Sequence, residues 1–530
     1  MSGVLARIWP ALAALLAGAL AAYAFPPWGF WPGLFGYALL LWLVDAGSKT
    51  RPLRSAFFRG WLAGTAFFFI SCWWVGEAFL VDAEHQGWMA PFAVVLLATG
   101  VALFWGAACA LYRRIAPAHA GRVFVFAGVF GLFEWLRGHL LTGFPWNLPG
   151  ETFRAGSSMS QGASLVGAYG LTTLTVFMYA AFAPLFAAGE RKRRTGLSVL
   201  GLLVMGGLWL FGAARLSGAS QRTTDIVVRV VQPDVPQASK WSAGAFHEIV
   251  QRYVNLTARP GARLPDIVVW PEGAVPDDLA DLMAPDSPNS WVAPAIAQAL
   301  APGETLFMGA YRSQPGPHGS VKYFNSLIGV QRSGAGLRIV SDYDKYRLVP
   351  FGEYMPFDGL MDRLGVKALT HVGDSFSPGP PPEPEKLPGT PEVQPLICYE
   401  GLYPSLARDG PVRPAWFLNV SNDAWFGPTS GPLQHFNLAS YRAIEGGAPM
   451  VRATPTGVSA VIDAYGRPRP DAELGERESG VIDALLPTAA PPTLYGRVGD
   501  LGFWLLTLAG LCAAVPWRRV KARFAQAEAA

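Results

Sequence analysis

Charged residues and cysteines are scarce in this chain of 530 residues. Only 15% of the residues are charged, against 51% that are hydrophobic, and four residues are cysteines. A charged fraction this low excludes an ordinary soluble protein, and the length allows more than one domain. Three of the cysteines lie inside long apolar stretches, so no disulfide framework is expected. The composition predicts a membrane part joined to a globular part.

Motifs for binding metals and nucleotides are also missing. No CxxC, HExxH, P-loop or GxGxxG pattern stands in a suitable context, and the seven histidines are scattered, so the sequence predicts neither a metal nor another cofactor. The net charge of +4 comes from short basic runs between apolar segments. Such runs indicate membrane orientation and no nucleic-acid partner. Any chemistry must come from side chains.

Long apolar stretches predict a bundle of eight membrane-spanning helices, because about 20 apolar residues cross a bilayer. The stretches lie near residues 8–25, 29–45, 57–76, 89–112, 122–141, 163–187, 196–214 and 499–517.

Basic residues mark alternate loops between these stretches. They lie in 49–59, 113–122 and 191–194 and in the tail after 517, and the positive-inside rule places these segments and both termini in the cytoplasm. The predicted order is therefore seven helices, an extracytoplasmic domain, an eighth helix and a cytoplasmic tail. The corresponding boundaries are 1–214, 215–498, 499–517 and 518–530.

The sequence pattern of the long segment between the seventh and eighth apolar stretches predicts a layered α/β domain. Short β-rich runs alternate there with helix-like stretches, and the proline-rich stretch 377–395 predicts a surface loop. The β-rich runs are 226–231, 267–270, 305–308, 327–330, 396–398, 416–420 and 458–462, and the helix-like stretches are 245–256 and 436–445.

Three ionisable residues lie at or just after apolar or β-like runs of this domain. They are Glu272, Lys345 and Cys398, which is the only cysteine outside the apolar stretches. Each alone has a commoner explanation, as a turn residue, a solvated cation or a packed thiol. Because α/β sheets build their sites at strand ends, we expect the three to meet. A base, an ammonium and a thiol nucleophile suffice for acyl transfer.

The runs around these residues carry a specific resemblance. They are 270–272 (WPE), 344–356 (DKYRLVPFGEYMP), 397–400 (ICYE), 419–427 (NVSNDAWFG), 431–435 (GPLQH) and 442–443 (RA). Together with the apolar spans, they resemble the apolipoprotein N-acyltransferases, a membrane branch of the nitrilase (carbon-nitrogen hydrolase) superfamily, over nearly the whole chain.

The resemblance implies a nitrilase-like α-β-β-α sandwich on the outer face of the bacterial inner membrane. The implied activity moves a fatty acyl chain from a phospholipid, commonly phosphatidylethanolamine, to the N-terminal diacylglyceryl-cysteine of a lipoprotein. This is the last step of lipoprotein maturation. The oligomeric state stays open, and a monomer is expected.

The resemblance also assigns roles to individual residues. It makes Glu272 the general base, Lys345 the oxyanion stabiliser and Cys398 the nucleophile. Three further residues match supporting positions of the family: Glu353, Tyr399 and Glu400.

Two tryptophans and two departures complete the comparison with the family pattern. Trp241 resembles a lid tryptophan that touches lipid. Trp146 resembles a membrane-side pocket residue, and an interfacial anchor explains it equally well. Gly273 stands where the family usually has a small hydroxyl residue, and Pro455 replaces an asparagine. Neither departure removes a catalytic group.

Two other functions stay open at this point. A membrane-anchored amidase or nitrilase acting on small soluble amides or nitriles would share the triad, and it would release ammonia without forming a lysolipid. A non-catalytic transporter or lipid-binding scaffold would tolerate Glu272→Gln and Cys398→Ala without loss of function.

Overall fold

The computed structural model describes most of the chain, in two compact units. The described residues are 3–186, 191–219, 222–241, 244–316, 320–334, 336–356, 375–387, 390–408 and 412–515, without the side chains of 3–7, 191–194 and 241. The helical unit comprises Met1–Phe79, His85–Gly218 and Thr493–Ala530, and the α/β unit comprises Leu80–Glu84 and Ala219–Pro492.

The helical unit consists of apolar α-helices, and several of the segments that connect them contain 3-10 helices. Its helices are Gly3–Ala22, Gly36–Asp45, Pro52–Ser71, Ala90–Ile115, Arg122–His139, Ala163–Ala180, Arg191–Ser217, Leu494–Val498 and Leu501–Cys512, and a short helix, Ala83–Gln86, occurs where the chain passes between units.

The number of spans differs from the predicted eight. Within the described residues, four helical segments are long and apolar enough to cross a membrane, and the pair Pro52–Ser71 and Trp73–Leu80, bent by 48°, would make a fifth. The four are Ala83–Ile115, Arg122–Thr142, Met159–Phe186 and Thr195–Ser217. The other three predicted spans correspond to the shorter apolar helices Ile8–Ala22, Trp31–Asp45 and Leu501–Cys512. The count of eight is therefore not confirmed, because these helices are shorter than the usual 20 or so residues.

Glu134 and Arg137, two charged residues in the apolar helix Arg122–His139, form a buried ion pair. Arg137 Nε donates to Glu134 Oε2 at 3.0 Å, and Trp105 Nε1 donates to Glu134 Oε1 at 2.6 Å. Arg137 Nη1 also donates to the carbonyl oxygen of Trp146, at 3.0 Å. The charges are therefore paired inside the helical unit, as apolar surroundings require.

Two β-sheets form the centre of the α/β unit. The six-stranded sheet has the order β11-β1-β2-β3-β4-β5, and the five-stranded sheet has the order β10-β9-β8-β7-β6. The strands are β1 Thr223–Gln232, β2 Ile267–Val269, β3 Thr305–Pro315, β4 Val321–Ser333, β5 Gly336–Asp344, β6 Val393–Ile397, β7 Trp416–Val420, β8 Met450–Ala453, β9 Ser459–Ile462, β10 Pro468–Leu474 and β11 Gly480–Pro487. The strands β1 to β3 and β6 to β8 are parallel, and the others pair antiparallel.

The two sheets pack face to face between helices. Val230 and Val269 of the first sheet share a buried cluster with Leu418 of the second. The opposite face of the first sheet, with Trp270 just beyond β2, packs against Tyr253. In the described part of this unit, the α-helices are Ala245–Thr257, Leu279–Met283, Val292–Ala299 and Gly431–Gly446. The predicted nitrilase-like α-β-β-α class is confirmed.

Two sequence predictions need correction at β6. The proline-rich stretch expected to be a loop up to residue 395 ends earlier, because Pro395 lies inside β6. This strand is at the edge of its sheet, where a residue without an N–H group is tolerated. The run 396–398 was predicted as β-rich, but the strand ends at Ile397 and Cys398 begins a 3-10 helix.

Candidate active site

The three predicted catalytic residues lie just after the ends of three strands. Glu272 follows β2, Lys345 follows β5 and Cys398 follows β6. Because the two sheets face each other, these ends converge, and the three side chains interact electrostatically. The structure therefore brings the predicted triad together from both sheets.

Lys345 lies between two glutamates. Its Nζ donates to Glu272 Oε1 at 3.0 Å and to Glu353 Oε1 at 2.9 Å. Asn325, in the middle of β4, donates through Nδ2 to the same two oxygens at 2.7 and 2.8 Å. The ammonium and the amide thus hold both carboxylates, and all four side chains are largely buried.

Backbone N–H groups fix the remaining carboxylate oxygens. Glu272 Oε2 accepts from the N–H of Asn422 at 2.8 Å, and Glu353 Oε2 accepts from the N–H of Val349 at 2.8 Å. Each glutamate is therefore held at both oxygens, which orients it before any substrate arrives.

These contacts keep the buried ion pair charged. Burial raises the pKa of Glu272, but Lys345 and the hydrogen bonds from Asn325 and Asn422 outweigh it, so the net pKa lies below its usual value. Burial lowers the pKa of Lys345, but Glu272 and Glu353 outweigh it and the net pKa lies well above its usual value. At neutral pH the site therefore contains a carboxylate base and an ammonium.

Cys398 is held in an unusual backbone conformation. Its φ of +50° lies in the left-handed region, which costs roughly 1 to 3 kcal/mol for a residue other than glycine. Burial and the negative charge of Glu272 raise the pKa of the thiol, and Lys345 opposes them. The resting thiol is therefore protonated and interacts with an ionised carboxylate that can take its proton.

Glu400 stabilises the 3-10 turn that begins at Cys398. Its Oε2 accepts from the N–H of Ile397 at 2.6 Å, and its Oε1 accepts from the Tyr343 hydroxyl and the Tyr346 N–H, both at 2.8 Å. Burial raises the pKa of Glu400 to about 7, against the hydrogen bonds from these donors. This residue joins the turn of Cys398 to the segment that carries Lys345.

A second buried network contacts the backbone of Cys398. His435 Nε2 is 3.2 Å from the carbonyl oxygen of Cys398, and His435 Nδ1 is 2.9 Å from Asp423 Oδ1. Arg452 Nη2 donates to Asp423 Oδ2 at 2.8 Å. Burial lowers the pKa of His435, and Arg452 adds to this against Asp423. A carbonyl oxygen only accepts, so Nε2 carries the hydrogen of this bond.

Sequence reasoning missed four residues of these networks as site residues: Asn325, Asp423, His435 and Arg452. Asp423 and His435 lie in two of the runs that carry the family resemblance, so a signal for them was present. Asn325 and Arg452 lie inside strands and have no local motif.

The other predicted residues have different surroundings. The Tyr399 ring is buried next to the Tyr403 ring, with centroids 5.2 Å apart. Trp241 ends the 3-10 helix Gln237–Trp241, but its side chain lies outside the described residues. Trp146 belongs to the helical unit, where its ring centroid is 4.3 Å from that of Trp74.

The two departures from the family pattern have defined backbone settings. Gly273 has a φ of +59°, a conformation that favours glycine. The carbonyl oxygen of Pro455 accepts from the N–H of Asp234 at 2.8 Å. Neither residue replaces a member of the triad.

Comparisons with known proteins agree over both units. The family model "Apolipoprotein N-acyltransferase N-terminal domain" matches residues 17–181, and "Carbon-nitrogen hydrolase" matches residues 227–490. Among solved structures, a variant of the Nesterenkonia AN1 amidase from the nitrilase superfamily aligns with a TM-score of 0.32 and 20% identity, covering 51% of this chain and 94% of the amidase.

Two curated relatives are similar along almost their full lengths. The apolipoprotein N-acyltransferase of Caulobacter vibrioides is 53% identical over 95% of this chain and 94% of its own. That of Rhodopseudomonas palustris is 39% identical over 94% of this chain and 95% of its own. The chain therefore belongs to the apolipoprotein N-acyltransferase family and is an acyltransferase.

Proposed function

We propose that this acyltransferase moves a fatty acyl chain from phosphatidylethanolamine to the N-terminal diacylglyceryl-cysteine amine of lipoproteins. The transfer is ping-pong and passes through a thioester on Cys398. The observation that carries the proposal is the buried pair in which Lys345 Nζ donates to Glu272 Oε1 at 3.0 Å, together with the electrostatic interaction of both residues with the Cys398 thiol. These are the groups that acyl transfer through a thiol requires.

The first half-reaction loads the enzyme. Glu272 takes the thiol proton as sulfur attacks an ester carbonyl carbon of the phospholipid, and Lys345 stabilises the oxyanion. The C–O bond then breaks, and the glycerol oxygen receives the proton from Glu272. A lysophospholipid leaves, and the acyl group stays on Cys398 as a thioester.

The second half-reaction delivers the acyl group. The α-amine of the lipoprotein cysteine attacks the thioester carbonyl, and Glu272 accepts a proton from the nitrogen. Lys345 again faces the oxyanion. The C–S bond breaks, the thiol regains its proton from Glu272, and an amide is released. Because one residue takes and returns the proton in both halves, no cofactor takes part.

The proposed topology places this chemistry on the outer side of the inner membrane. Segment 215–498 is extracytoplasmic, both termini are cytoplasmic, and segments 1–214 and 499–517 cross or enter the bilayer. The distribution of basic residues among the loops supports this order. The proposed roles of Trp241 and Trp146 are lipid contacts, and the proposed functional unit is a monomer.

One experiment tests the catalytic assignment. Purified full-length chain is incubated with phosphatidylethanolamine, and the acyl adduct and the lysophospholipid are measured by mass spectrometry. We expect a hydroxylamine-sensitive adduct on Cys398, and a lipoprotein N-terminus that gains the acyl chain when acceptor is added. The same adduct on Cys398→Ala would contradict the assignment. Release of ammonia from small amides without lysolipid would favour the amidase alternative.

A further inference from the structure

A second buried lysine lies beside the catalytic base. Lys240 belongs to the 3-10 helix Gln237–Trp241 and is only 5% exposed. Its Nζ donates to the carbonyl oxygen of Gly273 at 3.2 Å, and Gly273 directly follows Glu272. Its charge interacts with that of Glu272. The site therefore holds a cation in addition to the catalytic ammonium of Lys345.

The two lysines differ in their partners. Lys345 donates to two carboxylates, at 3.0 and 2.9 Å. Within the described residues, Lys240 has one hydrogen-bond acceptor, a carbonyl oxygen, and no carboxylate at ion-pair distance. An ammonium has three N–H donors, and a buried cation is costly without an anion. Burial accordingly lowers the pKa of Lys240 to about 8, although Glu272 opposes this.

The surroundings of Gly273 contain further polar groups without a full set of partners. A β-carbon at Gly273 would lie 3.7 Å from Lys240 Nζ and 4.0 Å from Asn422 Nδ2. Asn422 donates its backbone N–H to Glu272, and within the described residues its buried Oδ1 has no hydrogen-bond partner. Polar groups of Lys240 and Asn422 thus flank Gly273 next to the base, within van der Waals reach of a β-carbon at that position.

The proposed reaction brings a negatively charged group of the donor close to Lys240. Glu272 returns its proton to the glycerol oxygen of the leaving lysophospholipid, so that oxygen must come close to Glu272. The phosphodiester is attached to the same glycerol and carries one negative charge. An ammonium forms charge-assisted hydrogen bonds with phosphate oxygens. Lys240 therefore lies on the side of Glu272 where a bound donor would have its phosphodiester group.

We propose that Lys240 binds the phosphate group of the acyl donor and thereby selects phospholipids over acyl esters without phosphate. This inference rests on the proposed function. Lys240 is a specificity-determining residue in this proposal. Glu272, Lys345 and Cys398 keep the roles given above.

The test compares two donors with the same acyl chain. One is phosphatidylethanolamine and the other is a p-nitrophenyl ester, which has no phosphate. Thioester formation on the full-length chain is measured as kcat/KM for wild type, Lys240→Gln and Lys240→Arg. Lys322→Gln, which removes an exposed lysine of the same unit, controls for net charge.

We expect Lys240→Gln to lower the preference for phosphatidylethanolamine over the ester by about 10-fold or more, mainly through KM, since a hydrogen bond to a charged group has roughly this effect. Lys240→Arg should retain most of the preference, and Lys322→Gln all of it. In wild type, the KM for the phospholipid should rise as the pH passes about 8, because the ammonium is lost, and the KM for the ester should not.

Equal losses with both donors would overturn the proposal, because they would mean that Lys240 acts only through Glu272 or through packing. An unchanged preference in Lys240→Gln would also overturn it. A wild-type chain that forms no thioester with phosphatidylethanolamine would instead contradict the proposed function.

Discussion

The Nε2–H group of His435 donates to the carbonyl oxygen of Cys398 across 3.2 Å. A buried imidazole thus holds the backbone of the residue that carries the thiol, in a conformation with φ at +50°. Arg452, which pairs with Asp423, donates through Nη2 to the other ring nitrogen, Nδ1, at 3.2 Å. The strained backbone of Cys398 is therefore supported by the buried network of His435, Asp423 and Arg452.

His435→Gln should slow acyl-enzyme formation by about 10-fold or more and leave the donor KM nearly unchanged, because a misplaced thiol affects the transition state more than binding. The buried polar groups left without partners should lower the stability by about 1 to 3 kcal/mol. Single-turnover kinetics and thermal unfolding in detergent measure the two effects. A loss of stability without a change in the single-turnover rate would mean that His435 is structural only.

Glu272→Gln should reduce thioester formation by about 100-fold or more, because the amide cannot take the thiol proton. The chain should still fold, since Lys345 retains Glu353 as its partner. The adduct is measured by mass spectrometry after phospholipid is added, and Glu478→Gln is the control, because Glu478 is exposed in the same unit. Thioester formation at the wild-type rate would show that another group is the base.

Asn325→Asp should move the acid limb of the pH profile to higher pH. A third carboxylate would replace the amide that donates to Glu272 and Glu353, and its charge would raise the pKa of Glu272. The base would then be lost at a higher pH as the medium is acidified. The profile of kcat/KM with the p-nitrophenyl ester measures this shift, and Asn325→Ala should shift it less. An identical profile for wild type and Asn325→Asp would contradict the role given to Asn325.

The stability of the α/β unit should fall in acid through Glu272 and Asp423. Both have a pKa below the usual values of 4.5 and 3.8, Asp423 because Arg452 and His435 outweigh its burial. Their contribution is complete above these values and is lost as the pH falls through the lower folded-state pKa values. Thermal unfolding of the chain from pH 6 downward, as an approximate starting point, measures the loss. The Asp423→Asn variant should be less stable than wild type at pH 6, and its stability should fall less than that of wild type on acidification.

The three residues that the structure brings together could be singled out from the sequence more easily than the residues that hold them in place. The triad residues stand beside recognisable apolar runs, and long buried strands such as β1 have a strong hydrophobic signal. The edge strand β5 was missed because much of its surface is exposed and its pattern is irregular. Asn325 could not be singled out, since its role depends on Glu272 and Glu353, which are distant in the chain. The left-handed conformation of Cys398 likewise follows from tertiary contacts.

The predicted count of eight spans is not confirmed, and the physical reason is a different one. Hydropathy identifies apolar stretches but not where a helix ends. The first predicted span continued to residue 25, whereas the helix Gly3–Ala22 ends before two consecutive prolines, which have no N–H group to donate. Composition therefore located the apolar segments, but it did not give the lengths of the helices, which also depend on residues such as proline that cannot donate a backbone hydrogen bond.

Glu353 sets the total charge of the site, and the proposed reaction leaves that charge unchanged. At rest, Lys345 is flanked by two carboxylates and the thiol is neutral, so the four groups carry one negative charge in all. When Glu272 takes the proton, Glu353 still neutralises Lys345, and the single negative charge has moved to the oxyanion. The buried site thus never has to accommodate an additional ion, and the barrier contains the cost of moving a charge over a short distance rather than of creating one.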